Sequence, residues 1–206
     1  MKTDRRKKGA LRLAGFAIIW LAPFALVGAA VLTKTAGLAF AVTKDDSASA
    51  AAFLKAAAVF SDPRCVNCHP AGNRPLVGDQ SLPHPMHVER GPQGLGRNGL
   101  WCSTCHQEKN LHDPHTPPGA PEWMLPPADM PMVFEKRTPR QLCEQFKDPA
   151  RNGSRTPTEI AEHVREAPTV LWGWHPGEGR RAVPMPHDEF VRLMTEWAEK
   201  GAACPE

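Results

Sequence analysis

The sequence has no tyrosine, and aromatic residues make up only 7% of its 206 residues. It contains no Ser-His-Asp set, no phosphate-binding glycine loop and no nucleotide fingerprint, so nothing in it indicates a serine hydrolase or a nucleotide-dependent enzyme. There is no excess of positive charge beyond the N-terminus, since residues 1–12 carry a net +5 and the whole chain only +3. The remainder is therefore slightly acidic, and we expect no nucleic acid partner.

What the sequence does contain is cysteine and histidine in a repeated pattern. Two CxxCH pentapeptides lie at 65–69 and 102–106, with the spacing at which a c-type haem is attached. Two thiols form thioether bonds to the porphyrin, and the adjacent histidine becomes the proximal ligand of the iron. The composition gives about 0.007 chance copies per chain, so two copies are not accidental. We predict two covalently attached haem c groups, bound by Cys65, Cys68 and His69 and by Cys102, Cys105 and His106.

A zinc ribbon is the alternative interpretation, because two CxxC pairs also form a tetrathiolate metal site. The 33 residues between the two pairs exceed the roughly 15–20 residues that separate the pairs of a ribbon. A ribbon also has no need for histidine directly after each second cysteine. We therefore prefer haem.

The N-terminus combines a basic head with a long apolar segment. Residues 13–32 carry no charge, and a helix of that length spans about 30 Å, the thickness of a hydrocarbon core. A cleaved signal peptide is the alternative, because Ala39-Phe40-Ala41 has the small-x-small pattern of a cleavage site. Both interpretations predict export, since basic residues keep the head in the cytoplasm. We expect a membrane anchor with the haem domain in the periplasm, or a soluble periplasmic protein if the leader is cleaved.

These patterns divide the chain into three parts. Residues 1–43 form the basic head and the transmembrane or signal helix, residues 44–60 a linker helix, and residues 61–206 a compact dihaem cytochrome c domain. The linker is rich in alanine, which favours helix, although a flexible stalk fits the same composition. Proline, with 22 residues, is about twice as frequent as usual. We therefore expect a mainly α fold with extensive loops, and we interpret residues 61–137 as loops around the porphyrins with a helical turn at each motif.

Local signals predict three helices in the C-terminal part. Thr138-Pro139-Arg140-Gln141 and Thr156-Pro157-Thr158-Glu159 are capping boxes, which start helices at about 139–147 and 157–166. The last helix is expected at about 187–200, with Gly201 after its end. It has an apolar face with the 3, 4, 7 spacing of an amphipathic helix, formed by Phe190, Leu193, Met194 and Trp197.

From Ser61 to the C-terminus the chain resembles a family of small exported dihaem c-type cytochromes, often labelled isoquinoline 1-oxidoreductase subunit. The similar stretches are PRCVNCHPAG at 63–72, WCSTCH at 101–106, KDPARNG at 147–153, WGW at 172–174 and GAACP at 201–205. The resemblance implies a dihaem cytochrome associated with molybdenum hydroxylases. The long N-terminal apolar segment is not part of this resemblance.

The sixth ligand of each iron decides whether a haem transfers electrons or performs chemistry. Met130 lies in a proline-rich loop 24 residues after the second motif, and we expect it at the second haem. His84, which lies 15 residues after His69, is expected at the first haem. His163 is the rival for either iron, and Met185 is the competing thioether. A packing role for Met130 and a hydrogen-bonded structural role for His163 are the alternatives.

Two cysteines lie outside the motifs. Neither Cys143 nor Cys204 is followed by histidine, so neither starts a third haem site, and in an oxidising compartment we expect them to form a disulfide. A thiolate ligand to iron is the rival interpretation. The haem propionates have three candidate partners, although an exposed arginine is the more common outcome: Arg90, Arg97 and Arg151.

The expected function is electron transfer, not catalysis. The protein would take single electrons from a periplasmic or membrane-bound dehydrogenase and pass them to a cytochrome or a terminal oxidase. The alternative is a haem enzyme, peroxidase-like or thiosulfate-oxidising, which needs an open or Cys-ligated iron. We favour a carrier because the chain has enough Met and His to fill both sixth positions.

Overall fold

The computed structural model describes residues 44–206. The basic head and the apolar segment at 13–32 lie outside the described residues, so the expected membrane anchor or signal peptide stays a prediction. Within residues 44–206, no helix has the length and apolar character needed to cross a membrane. This part of the chain is mainly helical with long loops, which confirms the coarse fold class.

The described residues form seven α-helices and two short antiparallel hairpins. The helices are α1 (Asp46–Phe60), α2 (Pro63–Val66), α3 (Pro139–Lys147), α4 (Pro149–Asn152), α5 (Pro157–Glu166), α6 (Pro168–Leu171) and α7 (His187–Glu199). The strands are β1 (Leu76–Val77), β2 (Leu82–Pro83), β3 (Gly96–Arg97) and β4 (Leu100–Trp101). In the first hairpin Leu76 pairs with Pro83, and in the second Gly96 pairs with Trp101.

The hydrophobic core lies where α1, α3, α5 and α7 pack together. All four residues of the predicted α7 face are buried, with at most 1% of each exposed, which confirms the amphipathic pattern. Phe53 of α1 lies between Trp197 of α7 and Phe146 of α3, with ring centres 5.2 and 5.9 Å away. The core is therefore built around a cluster of aromatic side chains.

Helix α1 is part of this core, where the sequence had suggested a linker or a stalk. Its alanines at 52, 56 and 57 are buried, and such small side chains let α1 pack closely along α7. The hydroxyl of Ser49 donates to the Trp197 carbonyl over 2.8 Å and accepts from the Ala203 N–H over 3.0 Å. Residues 44–60 therefore share one hydrophobic core with residues of the segment 61–206.

Both predicted capping boxes are confirmed. The Thr138 hydroxyl accepts from the Gln141 N–H over 3.2 Å, and the Gln141 side chain accepts from the Thr138 N–H over 3.1 Å. Thr156 and Glu159 make the equivalent pair over 3.3 and 2.7 Å. Helices α3 and α5 have the predicted bounds, whereas α7 ends at Glu199, one residue before the predicted end.

The expected disulfide is also confirmed. Cys143 of α3 is bonded to Cys204, with their Cα atoms 5.5 Å apart and 61 positions apart in the chain. Near this bond, the indole N–H of Trp197 donates to the Ala203 carbonyl over 3.2 Å. The C-terminus is thus fixed to the core by a covalent bond and by backbone contacts.

Between α2 and α3 the chain forms loops, with a helical turn at each CxxCH motif, as the sequence predicted. The short hairpins within these loops were not predicted. Glycine is required at Gly94, where φ is +80° and a Cβ atom would lie 1.9 Å from the Leu125 carbonyl oxygen. This close approach brings the loop before the second motif against the segment that follows it.

Candidate haem sites

The first motif lies at the end of α2. Asp62 caps this helix, accepting from the Arg64 N–H over 2.9 Å, and Pro63 occupies the first turn. The turn continues through the motif, because the His69 N–H donates to the Cys65 carbonyl over 3.2 Å. Residues three apart on a helical turn lie on the same side, so this turn suits the attachment of Cys65 and Cys68 to one porphyrin.

The second motif forms a 3₁₀ turn over Cys102–Thr104. The N–H groups of Cys105 and His106 both donate to the Cys102 carbonyl, over 3.2 and 2.9 Å. The two motifs therefore have similar local backbones, although one follows an α-helix and the other follows β4.

The four motif cysteines all carry free thiols. Cys102 is buried, Cys105 is exposed, and Cys65 and Cys68 are partly exposed. Burial raises the pKa of Cys65 and Cys102. The motif cysteines are thus available for thioether bonds, whereas the other two cysteines are consumed by the disulfide.

The two motif histidines are held in the same way. Nδ1 of His69 lies 2.7 Å from the Met132 carbonyl oxygen, and Nδ1 of His106 lies 2.7 Å from the Pro118 carbonyl oxygen. A carbonyl only accepts, so Nδ1 carries the proton and Nε2 of the neutral ring presents a lone pair. This is the arrangement typical of metal-ligating histidines, whose second nitrogen donates to a backbone carbonyl or carboxylate.

Burial also keeps both rings neutral. It lowers the pKa of His69 to about 4, against a smaller opposing effect of the hydrogen bond to Met132. Burial likewise lowers the pKa of His106, and the bond to Pro118 again opposes it. A neutral imidazole is the form that binds a metal.

An aromatic ring stacks against each motif histidine. Phe134 lies parallel to His69 with ring centres 3.9 Å apart, and Trp123 lies parallel to His106 with centres 4.6 Å apart. Stacking fixes the plane of each imidazole while the hydrogen bond fixes its rotation. Sequence analysis did not find these two rings, because they lie 65 and 17 residues from their histidines and no local spacing relates them.

The surface near the motifs leaves large apolar side chains exposed. Most of them belong to the hairpins and the turn between β2 and β3: Leu82, Met86, Leu95, Leu100 and Trp101. Leu100 and Trp101 directly precede Cys102 in the chain, so exposed apolar side chains lie beside the second motif. Such side chains fit the attachment of a large apolar porphyrin there.

The two motifs lie close together. The pKa of Cys68 is raised to about 11, first by burial and then by the negative charge of Cys102. The geometry agrees, because His84, whose ring lies 6.2 Å from that of His106, donates its backbone N–H to the Pro75 carbonyl shortly after the first motif. Groups bound at the two motifs would be neighbours.

The structure distributes the expected sixth ligands unevenly. The ring of His84 lies 6.2 Å from that of His106, whereas His163 acts electrostatically on His69. The sulfur of Met130 lies 3.4 Å from the position of a Cβ at Gly153, beside the connection between α4 and α5. Met185 packs against the hydrophobic core and its carbonyl accepts from the Trp174 indole. Among these candidates, His84 is thus brought to the second motif.

The three candidate propionate partners have different environments. Arg90 is 2% exposed and donates to the carbonyls of Pro126 and Gly72 over 2.7 and 3.0 Å, while its Nε has no partner. Arg97 pairs with Glu89 at the surface, and Arg151 donates to the Gln145 side chain. Arg90 is therefore the only one of the three that is buried with an unused donor.

A search of protein family models, curated proteins and solved structures found no match to this chain. The resemblance to exported dihaem cytochromes thus stays a prediction. Among residues 44–206, no group of three or more His, Cys, Asp or Glu side chains is arranged to hold a metal ion. A haem iron takes four of its six ligands from the porphyrin, so its binding requires no such group.

Proposed function

We propose that this protein is a dihaem c-type cytochrome. It transfers single electrons between a periplasmic or membrane-bound dehydrogenase and a terminal acceptor. The observation that carries the proposal is the shared geometry of His69 and His106. Each follows a pair of free thiols, each donates from Nδ1 to a backbone carbonyl over 2.7 Å, and each is left with Nε2 as its ligating atom.

Covalently bound haem supplies a one-electron couple whose potential depends on the axial ligands and on burial. The protein contributes the thioether anchors, the two neutral imidazoles and the aromatic rings that hold them. The closeness of the two motifs supports electron exchange between the groups they bind. The expected sixth ligands, His84, Met130 and His163, favour a carrier over an enzyme, because a filled sixth position leaves no room for substrate.

A Cys-ligated enzyme would need a thiol outside the two motifs. Cys143 and Cys204 are the two cysteines that the motifs do not use, and they are joined to each other. The disulfide therefore argues against a thiolate-ligated iron. A haem enzyme with an open sixth position is tested by the experiment below.

The test begins with the intact mass of protein purified from a host that matures c-type cytochromes. We expect the mass of the mature chain plus two haems. A Cys65→Ala, Cys68→Ala variant should carry one haem, and the matched Cys102→Ala, Cys105→Ala variant should carry the other. A mass equal to the bare chain, or to the chain plus zinc, would overturn the proposal.

The carrier function is tested by adding carbon monoxide to the reduced protein. Six-coordinate haems should leave the spectrum unchanged at neutral pH and should show negligible peroxidase turnover. They should also be oxidised rapidly by a small redox protein in stopped-flow mixing. Binding of carbon monoxide by the native protein would favour the enzyme.

A further inference from the structure

We propose that His84 is the sixth ligand of the iron bound by His106, so that the second haem has two histidine ligands. This inference rests on the proposed function, since it requires a haem at the second motif. It differs from the pairing expected from sequence, in which His84 served the first haem and Met130 the second.

The separation of the two rings is the first argument. The centres of the His84 and His106 imidazoles are 6.2 Å apart. Two imidazoles on opposite sides of one metal should have centres about 6.3 Å apart, because each metal–nitrogen bond is about 2.0 Å and each ring centre lies about 1.1 Å beyond the nitrogen. The 58° angle between the ring planes is compatible with this arrangement, since both planes contain the same axis and can rotate about it.

The orientation of the nitrogens is the second argument. Nδ1 of His84 lies 2.8 Å from the Pro85 carbonyl oxygen, just as Nδ1 of His106 is bonded to the Pro118 carbonyl. Both rings therefore carry the proton on Nδ1 and have Nε2 free in the neutral form. His187 is different, because its Nε2 is the atom bonded to a carbonyl, that of Val164.

The backbone at His84 is held on both sides, which is the third argument. The His84 N–H donates to the Pro75 carbonyl over 2.9 Å, and the His84 carbonyl accepts from Nε of Arg74 over 2.8 Å. These contacts attach His84 to the segment between the first motif and β1. The two residues after Pro85, Met86 and His87, both have positive φ, at 61° and 53°. Such conformations are costly for residues other than glycine and are typical of ligand-holding turns.

The neighbourhood offers two rival ligands, and both belong to the same turn. Met86 has 64% of its surface exposed, and His87 is exposed as well. The histidine ring that the structure places near His106 within the described residues is that of His84, not of His87. They serve as matched controls, because substitution there perturbs the same turn without removing the proposed ligand.

Two histidine ligands give a haem a lower reduction potential than a histidine and a methionine. The second haem is therefore the lower-potential site whenever the first has a methionine ligand. Electrons would then enter at the second motif and leave at the first.

The test uses near-infrared magnetic circular dichroism of the oxidised protein, in which bis-histidine and histidine–methionine haems have different charge-transfer bands. We expect the bis-histidine band in the native protein and in Met86→Ala and His87→Ala. His84→Ala should lose the band at the second haem, and its reduced form should bind carbon monoxide at that haem. Added imidazole should restore the band, which shows that the variant is folded.

Single-haem variants assign the effect to one site. In the Cys65→Ala, Cys68→Ala background, His84→Ala should remove the bis-histidine band of the remaining haem. In the Cys102→Ala, Cys105→Ala background, His84→Ala should leave the bands of the remaining haem unchanged. His84→Met provides a second route, since it should replace the bis-histidine band by a methionine band. The inference is overturned if two haems are present and the second keeps its bands in both His84 variants. Absence of haem from the native protein would instead overturn the proposed function.

Discussion

The guanidinium carbon of Arg64 lies 5.8 Å from the centre of the Trp172 ring. Arg64 directly precedes the first CxxCH motif, whereas Trp172 lies in the 3₁₀ turn after α6 and meets Trp123 edge to face at 5.1 Å. Trp123 in turn stacks on His106. A cation and two indole rings thus connect the surroundings of the two motifs.

Replacing Arg64 tests this connection. Arg64 is 6% exposed and also forms an ion pair with Asp79. We expect Arg64→Leu to lower the free energy of unfolding by about 2 kcal/mol, because it removes a cation–π contact and leaves Asp79 without its partner. Chemical denaturation measures this loss. Arg97→Leu, which removes an exposed ion pair with Glu89, is the control and should cost under about 1 kcal/mol. Equal losses would contradict the prediction.

Removal of the disulfide should destabilise the protein strongly. Cys143 and Cys204 close a loop with a sequence separation of 61, for which loop-closure entropy gives about 4 kcal/mol. Chemical denaturation of the Cys143→Ala, Cys204→Ala variant should show this loss in the free energy of unfolding, with a lower denaturant midpoint. We expect the variant to keep both haems. Loss of haem from this variant would mean that the disulfide is needed for more than stability.

The two capping boxes predict different responses to pH. Hydrogen bonds from the Thr156 N–H and hydroxyl lower the pKa of Glu159. A carboxyl group whose pKa is lowered by folding stabilises the fold above its unfolded pKa of about 4.3, and this contribution is lost as the pH falls through the folded value. The stability difference between the native protein and Glu159→Gln should therefore be present at pH 7 and shrink towards pH 3.

The capping box of α3 is the control, because its N3 residue is the uncharged Gln141. The stability difference between the native protein and Gln141→Ala should not follow the titration of a carboxyl group at the cap. Thermal unfolding of the three proteins across the pH range makes the comparison. A difference for Glu159→Gln that stays constant down to pH 3 would show that the carboxylate form is not what stabilises this helix.

The stacked rings should tune one haem each. Trp123→Leu removes the ring against His106, and Phe134→Leu removes the ring against His69. Because the surroundings of the proximal ligand contribute to the potential, we expect Trp123→Leu to shift the second haem and Phe134→Leu the first. A redox titration that resolves both haems measures this. Both potentials moving together in either variant would contradict the assignment.

The features that sequence predicted correctly are those with local signals. The capping boxes determine where α3 and α5 begin, and the apolar spacing determines which side of α7 is buried. The sequence did not predict α6, which Pro168 begins, because proline is accepted in the first turn of a helix. Helix α1 was underestimated because alanines occur on both its buried and its exposed sides, so its sequence has no strong amphipathic pattern.

The candidate haem sites were predictable only where their functional residues lie next to each other in the sequence. The CxxCH motifs identify thiols and proximal histidines, but the partners of those histidines come from distant loops. The approach of His84 to His106 depends on hydrogen bonds of the His84 backbone to the Pro75 carbonyl and the Arg74 side chain, and on turns with positive φ. Such contacts have no periodicity, so a spacing argument assigned His84 to the nearer motif in the sequence.

The pairing of α1 with α7 also constrains the order of events in a newly made chain. The first described helix buries its side chains against the last, and the Ala203 N–H reaches back to Ser49. The core therefore stays incomplete until the chain has been synthesised as far as Ala203, and completing it requires contacts between distant parts of the chain. Both CxxCH motifs are synthesised well before the core is complete, so their thiols are accessible while the chain is still unfolded.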